Sequence, residues 1–286
     1  EQVELYPYAQ LTRKNIPEDL KGFYILHEGF IAVLDGELKE DDYDDVEEKK
    51  IVREADKGWI GITDKYWMTA LIPEIGEKFK STFLYQDAYK ANFLLNNPKI
   101  IAPSTTANNE IKIFVAAKEV QTIDAYAEKE NIEKLDLIID WGWFYFFTKP
   151  LFFAVDYLFK LTGNFGIAIV LITIMIRLVF FPLASYSFKS MAKMKALQPE
   201  MARLKDLHKD DKTKLQQAIM ALYKKEQINP ASGCLPVLIQ IPFFFAIYKM
   251  LFISLEMRHQ PFFGWIKDLS ASDPTTIFNL FGLLPF

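Results

Sequence analysis

Short apolar runs spaced by turn residues fill positions 1–118, and the pattern then shifts to a polar helical stretch and finally to long apolar runs. Gly58 with Trp59, Ile60 and Ile62 opens a series continued by Tyr66–Leu71, Ser81–Tyr85, Ala91–Leu95 and Glu110–Ala116. Asn96-Asn97-Pro98 and Asn108-Asn109 split these runs, as turn residues do between strands. In the last run Ile111, Ile113 and Val115 alternate with Lys112 and Phe114, the period of a strand with one face buried. Many short strands at regular spacing predict a β-sandwich. The acidic run Asp35–Glu48 lacks the Gly and Asx spacing of a calcium loop and reads as a solvated surface loop. From Glu119 to about Asp136 the pattern is helical and polar.

Phe165–Phe181, FGIAIVLITIMIRLVFF, carries one charge in seventeen residues. That length suffices for a tilted membrane helix at about 1.5 Å of rise per residue. Cys234–Ser254 is a second such run, with Pro236 in its first turn and Pro242 in its interior. Before the first span, Leu137–Leu161 is dense in aromatic residues but carries Asp140, Lys149, Asp156 and Lys160, with Pro150 dividing it. This predicts an amphipathic helix lying on the outer membrane surface rather than a span. Gly163-Asn164 turns the chain into the first span. Between the spans Phe188, Met191, Met194, Leu197, Met201 and Leu204 recur at spacings of three and four. The pattern breaks at His208–Asp211 and resumes at Leu215, Ile219 and Leu222, which predicts an antiparallel helical hairpin after Pro182. Its methionine stripe is either the hairpin's own seam or a surface for apolar segments.

Charge orients these elements. Residues 1–140 hold 17 basic and 28 acidic residues, a balance of −11, whereas 184–229 hold ten basic and five acidic. Short basic loops stay cytoplasmic, so the acidic N-terminal part lies across the membrane. The 286 residues suffice for about two domains. The first residue is glutamate and the last lies in an apolar run, so both ends read as truncation points, with an exporting element upstream. The single cysteine, Cys234, excludes an internal disulfide or a CxxC pair and reads as a packing residue; the three histidines stand far apart. No metal or cofactor is expected, and no nucleophile–base pair marks an enzyme.

The candidate chemistry therefore lies in the spans. An ionisable residue inside a span costs at least about 2.5 kcal/mol at its centre and marks a cavity, a pathway or a partner. Arg177 is such a residue, unless it snorkels to the nearer headgroups. Measured from the cytoplasmic side, Arg177 lies about 6 Å deep and Gln240 about 9 Å deep, with Thr173 one turn beyond Arg177 on the same face. These three predict one polar pocket in the inner leaflet, closed outward by the apolar Gly166–Ile172. Lys249, about 22 Å along its helix, is expected to snorkel to the outer surface.

At these residues the sequence resembles a family. IRLVFFPL at Ile176–Leu183, SMAKMKALQPEM at Ser190–Met201 and NPASGCLPVLIQIPFFFAIYKML at Asn229–Leu251 look like the YidC family of membrane protein insertases. LDLIIDWGWFYFFTKP at Leu135–Pro150 and WIKDLSASDP at Trp265–Pro274 match it too. The resemblance is close over 135–286 and looser over 1–134. It implies a multi-domain membrane protein of the Gram-negative inner membrane: part of a periplasmic β-supersandwich, then an α-helical transmembrane insertase core with a cytoplasmic helical hairpin. The implied boundaries are 1–136 for the periplasmic domain, 137–162 for the interfacial helix and 163–183 for the first span. The hairpin then takes 184–229, the second span 230–254, and the periplasmic loop with the start of the next span 255–286. The family has five core spans around a groove open to cytoplasm and lipid, and this chain stops before the last two.

The implied activity is reception of nascent membrane proteins in the groove and their release into the bilayer, alone or with the Sec translocon. Arg177 matches the groove arginine, with Thr173 and Gln240 as neighbours, and Phe243, Phe244 and Phe245 form the slide to lipid. The hairpin, through Lys193, Lys195, Arg203, Lys205, Asp210 and Asp211, is implied to meet the ribosome or the signal recognition particle pathway. The other expected partner is membrane lipid; sequence-specific nucleic-acid binding is not expected. A rival reading, a membrane-anchored periplasmic binding or carbohydrate-active domain, predicts acid/base carboxylates in a sandwich cleft. A transporter subunit would need polar residues along a whole span, against which Gly166–Ile172 argues.

Overall fold

The computed structural model describes residues 2–16, 26–209, 211–226, 229–233, 235–264 and 266–271. Asp210, Cys234, Trp265 and everything after 271 lie outside the described residues. The chain divides into two compact units, Glu1–Trp143 with Lys249–Arg258, and Phe144–Tyr248 with His259–Phe286.

The first unit is a β-sandwich. Its five-stranded antiparallel sheet contains β3 (Gly29–Leu34), β4 (Glu37–Asp41), β6 (Gly58–Thr63), β7 (Trp67–Ile72) and β11 (Lys112–Ala117), in the order β11-β7-β6-β3-β4. The four-stranded sheet runs β2-β9-β8-β5, from β2 (Tyr8–Arg13), β5 (Ile51–Ala55), β8 (Phe79–Tyr85) and β9 (Tyr89–Leu95). A small ribbon pairs β1 (Val3–Leu5) with β10 (Lys99–Ile101). Inward side chains of both sheets form one core, in which Phe30 of β3 meets Phe83 of β8 at 4.9 Å between ring centroids. Each such ring, taken from water, contributes about 1.5–3 kcal/mol. Gly58, with φ +136°, lies so close to the Val33 carbonyl that a Cβ has no room, which joins β6 tightly to β3.

The acidic run is not a loop. Residues 37–41 form β4, and α1 (Tyr43–Glu48) follows, burying Asp41, Tyr43 and Val46. Asp41 tolerates burial because Arg53 of β5 grips both carboxylate oxygens, at 2.5 and 2.7 Å. Alternation in β11 is as expected, but the buried residue is Phe114, whose ring meets Tyr126 of α2 (Val120–Lys129) at 5.6 Å. Ile113 and Val115 stay 65% exposed on an edge strand, while Ile111 packs against the core.

The second unit is helical, with α3 (Tyr145–Thr162), α4 (Phe165–Ala196), α5 (Gln198–Leu207), α6 (Lys212–Lys225) and α7 (Leu235–Ile253), whose final turn belongs to the first unit. α3 continues through Pro150, the sixth residue of the helix. It buries Phe152, Val155 and Asp156 and stacks Phe159 on Phe165 of α4 at 3.9 Å. Gly163, in the left-handed region, ends α3, and the Asn164 side chain caps α4 by accepting from the Ile167 N–H at 3.1 Å.

α4 does not stop at Pro182. It runs on to Ala196, so the first arm of the hairpin is an extension of the apolar helix. The proline removes a single amide donor, and the turn before α7 braces the helix beyond it. Ser187 Oγ donates to the Gly233 carbonyl at 3.0 Å, and Ser190 and Ser232 share a hydroxyl hydrogen bond. Ser232 in turn donates to the Asn229 carbonyl at 2.6 Å. Met191 and Met194 pack on Gly233, and Tyr223 of α6 donates to the Met201 sulfur at 3.5 Å. The methionine stripe is therefore in large part an internal seam, although Phe188 is left exposed.

Candidate functional site

α4 and α7 are both long and apolar enough to cross a membrane. They run antiparallel, since Ser187 of α4 lies by the turn that opens α7 while Asn164 donates to the Phe262 carbonyl beyond its other end. Phe180 meets Phe243 edge-on at 5.0 Å, and Phe243 also meets Phe147 of α3 at 4.5 Å. Arg177 and Gln240 each lie three residues before their ring, one toward the Asn164 end and the other toward the Leu235 end.

Arg177 is exposed, and among the described residues it has no ion-pair partner. Thr173 is half-buried and its hydroxyl donates to the Ile169 carbonyl at 2.7 Å, so the helix backbone already uses its proton. Gln240 is half-buried and has no hydrogen-bond partner among the described residues. Of the three phenylalanines, Phe243 is held in the ring cluster, whereas Phe244 and Phe245 are 57% and 58% exposed. Lys193, Lys195, Arg203 and Lys205 project from the end of α4 and from α5 as exposed cations. Asp211 caps α6 by accepting from the Lys214 N–H at 3.0 Å, which holds its carboxyl below the usual range.

The first unit holds a site that sequence reasoning missed. Lys249 does not snorkel. It is 9% exposed, its stem lies against Gly142, and its ammonium donates to Asp140 at 2.6 Å. Asp140 also accepts from the backbone N–H groups of His27 and Gly142, both at 3.0 Å. Glu256 accepts from the Val120 N–H at the start of α2, and Lys65 sits 4.0 Å over the Phe252 ring. Lys118 is buried nearby. Burial pushes its amine down to about 8, against the opposing pull of Asp140, Glu28 and Asp64. An aspartate 109 residues away cannot be read from local sequence; the one available signal was a lysine in an apolar run.

The same unit contains a cleft of about 740 Å³ floored by Trp59, Ile72 and Phe79. Of the five glutamates that line it, Glu77 pairs with Lys99, Glu130 with Lys112 and Glu133 with Lys57, at 2.8, 2.7 and 2.6 Å, and Glu74 lies 3.4 Å from Lys99. Hydrogen bonds from those lysines hold Glu77, Glu130 and Glu133 below the usual range. A general acid needs the opposite shift, so none of these three suits that role.

Comparison with known proteins places both parts. Residues 1–154 match the family model described as YidC periplasmic domain, and residues 157–285 match 60Kd inner membrane protein. The chain belongs to the YidC membrane protein insertase family. It is 59% identical to the membrane protein insertase YidC of Pelagibacter ubique over 281 residues, 98% of this chain and 50% of that protein. The Brucella melitensis protein of the same name is 50% identical over 99% of this chain and 48% of its own length. The Rickettsia conorii one is 49% identical over 98% of this chain and 51% of its own length. The chain spans about half the length of these curated relatives. The β-sandwich is thus the periplasmic portion of an inner-membrane protein.

Proposed function

We propose that this chain is the part of a membrane protein insertase that receives a nascent segment and hands it to lipid. The observation that carries this reading is Arg177, an exposed guanidinium without an ion-pair partner among the described residues of an apolar 32-residue helix. A cation in a low-dielectric groove attracts acidic or polar residues of an incoming chain and lowers the cost of taking them out of water. Gln240, whose side chain has no hydrogen-bond partner among the described residues, and Thr173, as an acceptor, extend this polar face. The apolar part of the segment then leaves past Phe244 and Phe245, with hydrophobic transfer as the driving force and no bond made or broken. Phe243 anchors the ring cluster behind them.

The exposed face of α3, with Phe146, Phe153, Tyr157 and Leu161, supports its lying at the periplasmic membrane interface. Lys193, Lys195, Arg203 and Lys205, with Asp211, form the cytoplasmic surface for the ribosome or the signal recognition particle pathway. Nascent membrane proteins, lipid and the Sec translocon complete the partners. The test is insertion of a single-span substrate with an acidic exported tail by full-length protein carrying Arg177→Ala or Arg177→Lys. Loss with Ala and retention with Lys is the expected result. Normal insertion by both would make Arg177 a snorkelling anchor and overturn the groove reading.

A further inference from the structure

We propose that Lys65 and Arg258 bind the phosphate of an anionic phospholipid in the periplasmic leaflet, with Trp67 as the interfacial ring beside it. All the residues involved belong to the first unit. Lys65 and Tyr66 connect β6 to β7, Trp67 opens β7, Phe252 lies in the last turn of α7, and Arg258 follows that helix. The Lys65 ammonium lies 5.0 Å and the Arg258 guanidinium carbon 4.9 Å from the centroid of the Tyr66 ring, so the two cations stand within about 10 Å of each other. At that separation two long side chains can close on one phosphate. The ring attracts both cations but neutralises neither. Among the described residues neither has an ion-pair partner. The carboxylates around them are engaged: Asp64 pairs with Arg13, Glu28 accepts from the Lys65 backbone N–H at 2.7 Å, and Glu256 accepts from the Val120 N–H at 3.0 Å.

The end of α7 sets the level of this pair. At 19 residues the helix is about 28 Å long, close to the roughly 30 Å hydrocarbon thickness of a bilayer. It starts after the basic hairpin, on the cytoplasmic side, so Phe252 stands at the periplasmic edge of the hydrocarbon. The Lys65 ammonium is 4.0 Å from the centroid of the Phe252 ring, which puts it at headgroup level. Trp67, two residues on, is 57% exposed, and indole rings favour that depth. Residues 1–140 hold 28 acidic against 17 basic residues, so most of this domain repels an anionic surface, and the uncompensated cations are where it can approach one. Free phosphate could meet the two charges but makes no use of the exposed indole; a phospholipid meets both. The site requires that α7 cross the bilayer and is independent of the groove reading of Arg177.

The test is native mass spectrometry of the full-length protein in detergent, titrated with phosphatidylglycerol, with phosphatidylcholine and with inorganic phosphate. Wild type is expected to hold a phosphatidylglycerol that the double variant Lys65→Gln/Arg258→Gln loses, with affinity falling about fivefold for each cation removed. Phosphatidylcholine, whose choline offsets its phosphate, should bind both proteins alike. Lys65→Arg and Arg258→Lys keep the charges and should keep the lipid. Equal phosphatidylglycerol binding by wild type and the double variant overturns the proposal. So does displacement of that lipid by inorganic phosphate, which would make this a site for the free anion. Should the double variant lose the protease resistance of the β-sandwich, Arg258→Gln alone, a change to an exposed side chain, decides by the same criterion.

Discussion

Lys118 gives the sharpest energetic prediction. It is 3% exposed, and burial depresses its amine from 10.5 to about 8. At neutral pH the group is therefore charged in a site that disfavours the charge. A depression of that size corresponds to about 3 kcal/mol at roughly 1.4 kcal/mol per unit. The sign follows from linkage: between pH 8 and 10.5 the unfolded chain binds the proton that the folded chain has released, so stability rises with pH across that window. The cost is complete below about pH 8 and has nearly vanished by 10.5. Lys118→Met keeps the length of the side chain and removes the titration. Subtracting the variant's stability from the wild type's cancels other groups that titrate alongside, such as Tyr43, whose phenol burial raises to about 12. That difference should move in favour of the wild type by about 2 kcal/mol from pH 7 to pH 10. Urea unfolding of the full-length protein in detergent, followed by fluorescence of the buried Trp59, measures it. A difference independent of pH would refute the reasoning, because it would mean that Lys118 titrates normally and is not desolvated.

Two further outcomes follow from packing and hydrogen bonding. Gly166→Ala would drive a Cβ into the Phe262 ring and should destabilise the helical unit by about 1–3 kcal/mol, read as a lowered Tm in detergent. Ser232→Ala removes a buried hydroxyl that links Ser190 to the Asn229 carbonyl and should cost about 1–3 kcal/mol, read as faster proteolysis around residues 226–233 at unchanged secondary structure.

What the sequence revealed, and what it concealed, divides along the range of the interactions. Both apolar helices, the sandwich and the Gly163-Asn164 turn rest on local pattern and local capping, and all were legible. β11 shows the limit of periodicity. Alternation separates two faces, but the inward face is chosen by what covers it, here Tyr126 over Phe114. Asp35–Glu48 was misread because its charges hide Tyr43 and Val46, and because Arg53, which neutralises Asp41, comes from another strand. Lys249 was misread for the same reason. Its partner is 109 residues upstream, and snorkelling is the default only when no counter-charge is present.

Pro182 is the most instructive misreading, because its correction changes the mechanics. A proline interior to a helix costs about 3 kcal/mol in water, which argues for a break. In α4 the loss is local: the seryl bonds of Ser187 and Ser190 to the turn before α7 hold the helix beyond it, and Phe180 packs edge-on against Phe243 before it. Arg177 and the exposed Lys193 and Lys195 therefore share one rigid element, separated by about 24–27 Å at 1.5 Å per residue. A flexible joint at Pro182 would have let the basic end move independently of the arginine. A continuous helix does not. Whatever docks on Lys193 and Lys195 acts on the element that carries Arg177, and the Ser190–Ser232 bond ties that same element to the start of the helix carrying Gln240.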